Sequence, residues 1–316
     1  MRALFGHLRG VTAVTGLVAV TLLGGIPLVP ASIIKLALPQ GRARNLATAA
    51  VLGIAKTWAR TANAIILGVS GTRLTYQQLM ADDPNGRYVL ISNHQCWADV
   101  MLLIAAIDPQ LPFPRYFIKE QLRWLPVVGL AAWALDFPFM KRHSREQLEK
   151  NPELRDEDMN TVRRACAVFR DLPVSLVNYA EGTRSTPAKR AAADSPYQTL
   201  LPPKAGGTAF AINAMQEVLD GILDMSVAYV DTPDPQFWDL LCGRIPQVAI
   251  RVRYLEVPVD LAKGDYVNDP DYRQRFKAWL NDIWAGKDAD VTAIQNPDDP
   301  ARSFADRPEP EPPRRG

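Results

Sequence analysis

The chain has little of several things on which protein function often rests. Its three cysteines, Cys96, Cys166 and Cys242, are far apart and form no CxxC pair, which excludes a disulfide scaffold and a thiolate zinc cluster. Three histidines, His7, His94 and His143, are too few and too scattered for a multi-histidine metal site. Neither a P-loop nor a GxGxxG dinucleotide fingerprint occurs, and there is no GxSxG nucleophile elbow. Acid is missing too: no Asp or Glu precedes Asp82. Residues 1–81 nevertheless carry eight basic side chains (Arg2, Arg9, Lys35, Arg42, Arg44, Lys56, Arg60 and Arg73), while the remainder holds 28 basic and 34 acidic groups. The net charge of +2 therefore hides a basic leader and an acidic body. A basic leader that is also greasy points to an anionic membrane surface rather than to nucleic acid.

What is present fits a folded chain. Of the 316 residues, 47% are hydrophobic and 22% charged, which excludes wholesale disorder and suits one large domain with appendages or two modest domains. From Gly10 to Ile34 there are 25 uncharged residues in a row, long enough to cross a bilayer as a helix at about 1.5 Å per residue. Gly24, Gly25, Pro27 and Pro30 interrupt it, so the pattern reads as a kinked span or a half-inserted hairpin. A cleavable signal peptide is the alternative, but Val29-Pro30-Ala31 is a poor cleavage site. Between Leu46 and Val69 the apolar sequence is broken only by Lys56 and Arg60, four apart and so on one helical face. Such a helix lies in the interface or packs on its own domain. Residues 1–74 read as a membrane anchor.

Beyond the turn signal Asp83-Pro84-Asn85-Gly86, strands are expected at 87–92, 115–119, 137–140, 174–179, 222–230 and 247–257. Helices are expected at 97–107, after 119 to about 135, and at 156–171, 206–219 and 271–284. This alternation predicts an α/β sandwich with a mostly parallel central sheet over residues 75–286. The Pro- and charge-rich residues 287–316 read as a disordered tail.

Four polar clusters fall where strands hand over to loops and helices, the place where such sheets bind ligands. In the first, His94 follows a buried strand and Asp99 lies five residues on. On a regular helix they would stand about 140° apart, so they meet only if His94 is in the turn and Asp99 begins the helix. An Asp accepting the Nδ1–H of the imidazole leaves Nε2 to take a proton from a hydroxyl. Ser92 and Cys96 have no motif support as nucleophiles, so that hydroxyl can belong to a substrate. The second cluster, Phe139-Met140-Lys141-Arg142, ends one strand beside Lys119 at the end of another; solvated strand-end charge is the plain alternative. The third is Glu181-Gly182-Thr183-Arg184, where Gly182 permits positive φ and Arg184 offers a fork suited to phosphate. The fourth, around Lys204, opens a helix whose free N–H groups favour an anion.

Asn93-His94 with Asp99 resembles the NHxxxxD motif of the glycerolipid (lysophospholipid) acyltransferase superfamily. Phe139–Arg142 resembles its second block and Glu181–Arg184 its EGTR block, in the family's order and spacing. The longer stretches FIKEQLRWLPVVGLAAWALDFPFMKR and NYAEGTR…LLPPKAGG are similar to bacterial inner-membrane acyltransferases of the YihG type, related to lysocardiolipin acyltransferases. The resemblance spans about residues 75–260. It implies the 1-acyl-glycerol-3-phosphate acyltransferase-like α/β fold, with His94 as general base and Asp99 as its orienter. It also implies direct attack of a lysophospholipid hydroxyl on acyl-CoA or acyl carrier protein, with no metal or redox cofactor. Arg142 and Arg184 would hold the acceptor phosphate, with Asn93, Lys119, Glu181, Gly182, Thr183 and Lys204 completing the substrate site. Membrane lipids would be the partners and the cytoplasmic face of a bacterial inner membrane the location. The family's fourth block is an apolar strand ending in Pro, whereas here Val227–Val230 runs into Asp231-Thr232 with Pro233 displaced. A different lysolipid acceptor such as lysocardiolipin, a thioester hydrolase, and a binding protein without turnover are the other readings. The phosphate-oriented arginines argue against the hydrolase, and the intact dyad against the binding protein.

Overall fold

A computed structural model describes residues 2–76, 83–108, 110–125, 128–140, 164, 166–170, 172–255, 258–262, 264–266 and 268–296. Two long helices, α1 (Arg2–Ala37) and α2 (Arg42–Ser70), form a hairpin. An α/β body follows: β1 (Arg73–Tyr76), β2 (Arg87–Ser92), α3 (Asp99–Ile107), β3 (Pro114–Tyr116), β4 (Ile118–Lys119), α4 (Val128–Ala134), β5 (Phe139–Met140) and β6 (Val174–Tyr179). The second half adds α5 (Pro187–Ala192), α6 (Ala205–Met215), β7 (Gly221–Tyr229), α7 (Phe237–Leu241), β8 (Gln247–Leu255), α8 (Val259–Ala262) and α9 (Pro270–Gln295).

Six strands pair in the order β1-β8-β7-β2-β6-β3. All pairings are parallel except β7 with β8. The strand period of two sorts β2 between two cores. Tyr88 and Leu90 pack with Ile66 of α2 and with Leu102 and Leu103 of α3. Val89 and Ile91 face Ala209 and Ile212 of α6 and Phe276, Leu280 and Trp284 of α9. Helices thus cover both faces of a mostly parallel sheet, the expected sandwich. The carboxyl ends of β2 and β6 lie side by side, with Ser92 opposite Tyr179, and on the other flank Ser92 pairs with Met225 in the middle of β7, which runs on past the end of β2. The site is built there.

The leader does not project away from this body. Helix α1 is one helix through Pro27 and Pro30, about 54 Å long at the α-helical rise. Near its start, a Cβ on Gly10 would fall 2.8 Å from the Trp238 ring and 2.9 Å from Cys242 Sγ; only glycine lets α1 sit that close to α7. Near its end, the buried Lys35 ammonium donates to Ala134 O at 2.7 Å and to Asp136 at 2.8 Å. Between these points Ala13 enters the first core and Leu28 packs with Val51, Ile104 and Leu135. Among the described residues α1 is the one helix long and apolar enough to cross a membrane.

Several elements differ from expectation. Edge strand β1 has no clear sequence pattern because it is four residues long and only partly covered. The expected strand 115–119 is two: β3 joins the main sheet, whereas β4 pairs with β5 in a separate ribbon. Helix α6 stops at Met215, not 219. The expected helix 156–171 falls mostly outside the described residues, which show a 3₁₀ turn at Ala167–Arg170. The largest departure is at 287, where a tail was expected. Helix α9 continues to Gln295, and Leu280, Trp284, Lys287, Val291 and Ile294 form its buried face. Composition misled because Lys287 and Asp288 have protein partners in place of water. Residues 297–316 lie outside the described residues.

Candidate active site

His94 sits in the turn after β2 and Asp99 is the first residue of α3, so strand, turn and helix bring them together. His94 Nδ1 lies 2.8 Å from Asp99 Oδ2. The same oxygen accepts the Gln95 and Cys96 backbone N–H groups of the preceding turn at 2.7 and 3.0 Å. The second carboxylate oxygen accepts the Tyr229 hydroxyl. Burial and the neighbouring Asp99 hold that phenol well above its ordinary pKa, so it remains a donor. Asp99 is fully buried and met by donors on every side. A carboxylate so placed accepts Nδ1–H and leaves Nε2 as the free acceptor of the imidazole. The His94 side chain is 14% exposed, and Tyr179 stacks on its ring at 4.2 Å.

The loop after β6 grips the His94 backbone from both sides. Glu181 accepts His94 N at 2.9 Å on one oxygen and Leu201 N at 3.0 Å on the other, while Ser185 N donates to His94 O at 2.6 Å. Burial raises the Glu181 carboxyl to about 8, with the two N–H bonds and Lys287 pulling the other way. Asn93 makes a similar clamp: its amide exchanges two bonds with the Val227 backbone, at 2.9 and 2.8 Å, tying β2 to β7.

These bonds correct two expectations. Asn93 and Glu181 were expected to help complete the substrate site; both are buried and hydrogen-bonded to backbone groups, so they hold the turn that carries His94. Gly182 is at φ +68, and the Lys204 side chain crosses it so closely that an added Cβ would lie 3.2 Å from Lys204 Cδ. Thr183 Oγ1 accepts Lys189 Nζ at 2.7 Å. Arg184 is half-buried, its guanidinium 4.9 Å from the centre of the exposed Trp97 ring. The loop after β6 therefore brings Gly182, Thr183, Arg184 and Lys204 together beside the turn that carries His94. Lys119 is exposed on β4, opposite Met140. Arg142 lies outside the described residues.

Neither candidate nucleophile is available. Burial pushes the Cys96 thiol up to about 11, far from a reactive thiolate, and buried Ser92 donates to Asn93 O. Among the described residues no cluster of three or more His, Cys, Asp or Glu could hold a metal ion. An apolar cavity of about 300 Å³ lies between the α1–α2 hairpin and the body, lined by Gly24, Leu28, Trp58, Ile104, Tyr116 and Phe137 among others. Tyr116 stacks on Tyr179, centroids 6.0 Å apart, and Tyr179 on His94. Two rings link the cavity wall to His94.

Sequence reasoning missed Tyr229, Tyr179 and the cavity. Tyr229 ends the strand beside β2, and Tyr179 stands two residues before Glu181. Those positions were the available signal.

A buried carboxylate orienting an imidazole at the open edge of an α/β sheet defines a site for acid–base chemistry on a hydroxyl. A family model for acyltransferases matches residues 67–230, just over half of the chain, and the chain belongs to that family. It is 24% identical over 250 residues to mouse 1-acyl-sn-glycerol-3-phosphate acyltransferase epsilon, covering 72% of this chain and 63% of that protein. It is 22% identical over 219 residues to Arabidopsis thaliana 1-acyl-sn-glycerol-3-phosphate acyltransferase 3, covering 64% and 52%. The chain thus spans less than two thirds of the length of these relatives. The crystal structure of the 1-acyl-sn-glycerophosphate acyltransferase PlsC from Thermotoga maritima shares the fold, with TM-score 0.51 at 16% identity over 91% of this chain and 98% of that one.

Proposed function

We propose that the protein is a membrane-bound O-acyltransferase that moves a fatty acyl group from acyl-CoA or acyl carrier protein to the hydroxyl of a lysophospholipid. The simplest acceptor is 1-acyl-sn-glycerol 3-phosphate, giving phosphatidic acid. The observation that carries this reading is the His94–Asp99 pair, whose geometry leaves Nε2 as a base. As the acceptor oxygen attacks the thioester carbonyl, its proton passes to Nε2. The C–O bond forms, the C–S bond breaks, and the imidazolium returns the proton to the departing thiolate. Arg184, held against Trp97, supplies the fork for the acceptor phosphate, with Lys204 and Lys119 as further cations and Arg142 as a second arginine. The step as written draws on no metal or redox group. The apolar cavity takes the acyl chain, one stacked tyrosine pair away from the base.

The apolar helix α1 supports a membrane location. Both its ends pack on the same body, which favours a helix lying along the bilayer over one that crosses it. It lies along the membrane instead, presenting Leu4, Leu8, Val11, Leu22, Ile26 and Ile33, each more than half exposed, to the lipid. The body faces the cytoplasm, where both acyl donors are found, at a bacterial inner membrane. The test is radiolabelled acyl transfer by isolated membranes against a panel of lysolipids that includes lysophosphatidic acid and lysocardiolipin. His94→Ala is expected to lower turnover by about 10²–10⁴-fold at unchanged abundance; retained turnover refutes the assignment.

A further inference from the structure

The C-terminal helix reaches the site through three side chains on one face, at spacings of three and four residues. Trp284 Nε1 donates to Leu201 O at 2.9 Å. Asp288 accepts the N–H groups of Gln198, Thr199 and Leu200 at 2.8, 2.8 and 3.2 Å. These two fix the loop that delivers Leu201 N to Glu181. The third, Lys287, is fully buried; its ammonium donates to Met225 O of β7 at 2.7 Å and to Ile91 O of β2 at 3.4 Å. Ile91 precedes the catalytic turn by three residues, and Met225 lies two residues before the Val227 that Asn93 holds.

We propose that Lys287 is a positioning residue of the reaction: from α9 its ammonium pins Ile91, near the end of β2, to Met225 in the middle of β7, beneath the turn that carries His94. The charges around it are few and named. Asp224 of β7 pairs with Lys287 at 2.5 Å through one oxygen and with Arg253 of β8 at 2.6 Å through the other. Asp290, on α9 itself, pairs with Arg251 and Arg253 of β8. Beyond the effect of burial, Glu181 is in turn raised by the Asp99 carboxylate and, to a lesser degree, lowered by Lys287. A fully buried ammonium is retained only where such partners exist.

The sign follows from Glu181. Its carboxyl is raised to about 8, and Lys287 works against that rise. The ionised clamp, which accepts two N–H groups, is lost as pH falls through the raised value. Without Lys287 it is lost at higher pH.

This inference rests on the reading of His94 as the base, so the test carries a readout independent of turnover. Lys287→Met alone strands Asp224 beside a single cation. The informative variant is Lys287→Met/Asp224→Asn, which removes both charges of the buried pair. In detergent-solubilised full-length protein, the His94 and Leu201 amides should lose protection relative to wild type near pH 7. Both should recover as pH is raised above the Glu181 value of about 8, and kcat should follow the same pH course with the KM for the acyl donor unchanged. Wild-type protection and pH profile in the double variant overturn the proposal, as does a loss that does not recover at high pH. Should the wild-type protein lack turnover, the proposed function fails, and amide protection still decides the role of Lys287.

Discussion

Removing one oxygen atom tests how the dyad is held. Tyr229→Phe deletes the hydroxyl that donates to Asp99 and keeps the ring, which is fully buried in the first core, so no large cavity opens. Asp99 retains His94 Nδ1 and the Gln95 and Cys96 N–H groups, all on its other oxygen. The loss is therefore one hydrogen bond to a charged group, about 1.5–3 kcal/mol of stability, together with a weaker one to the Cys96 thiol. For a body of this size that corresponds to a Tm lower by roughly 3–10 °C. Catalysis should suffer less than on removing the base. With three donors left the imidazole stays oriented, and kcat should fall by about tenfold or less, against roughly 10²–10⁴ for His94→Ala. The KM for either substrate should stay put, because Tyr229 is buried away from them. Thermal unfolding of solubilised protein and initial rates at saturating lysolipid read both quantities. Unchanged Tm and kcat would show that the phenol does not support Asp99. A collapse in rate matching that of His94→Ala would mean that the three remaining donors do not hold the carboxylate.

Two further substitutions probe opposite ends of the substrate. Arg184→Ala should raise the KM for a phosphate-bearing acceptor while leaving the KM for the acyl donor alone; an unchanged acceptor KM in the assay with lysophosphatidic acid moves the phosphate site elsewhere. Gly24→Leu should shift donor preference toward shorter chains, because a Cβ there already lies 3.3 Å from Trp58 Cδ1 at the cavity wall. Each excluded methylene removes about 0.8 kcal/mol of burial, and an unchanged chain-length profile refutes the cavity assignment.

The strands that frame the site were legible because they are simple. Both β2 and β6 are short, mostly apolar runs buried on both faces, and they begin and end at the residues read from the sequence. The meeting of His94 and Asp99 was legible because five residues can close only through a strand–turn–helix. What could not be read is what those residues lean on. Tyr229 looks like any β-strand aromatic until the sheet order places β7 beside β2. Asn93 and Glu181 sit in the same motifs as residues proposed to face substrate, and nothing in a linear pattern tells an inward carboxylate from an outward one. Lys287 and Asp288 were misread for a related reason: composition counts a charge as solvated, whereas here each is satisfied inside the fold. The leader was legible as apolar, but its attachment at Gly10 and Lys35 depends on partners more than ninety residues away.

That attachment matters to anyone who would trim the protein. Cutting the chain near residue 40 to obtain a manageable soluble fragment would remove Thr21, Gly24, Gly25 and Leu28 from one side of the cavity and leave Asp136 without its ammonium partner. The greasy leader is thus also an inner partition of the enzyme. A shortened form that stayed in solution would have lost one wall of the compartment proposed for the fatty chain.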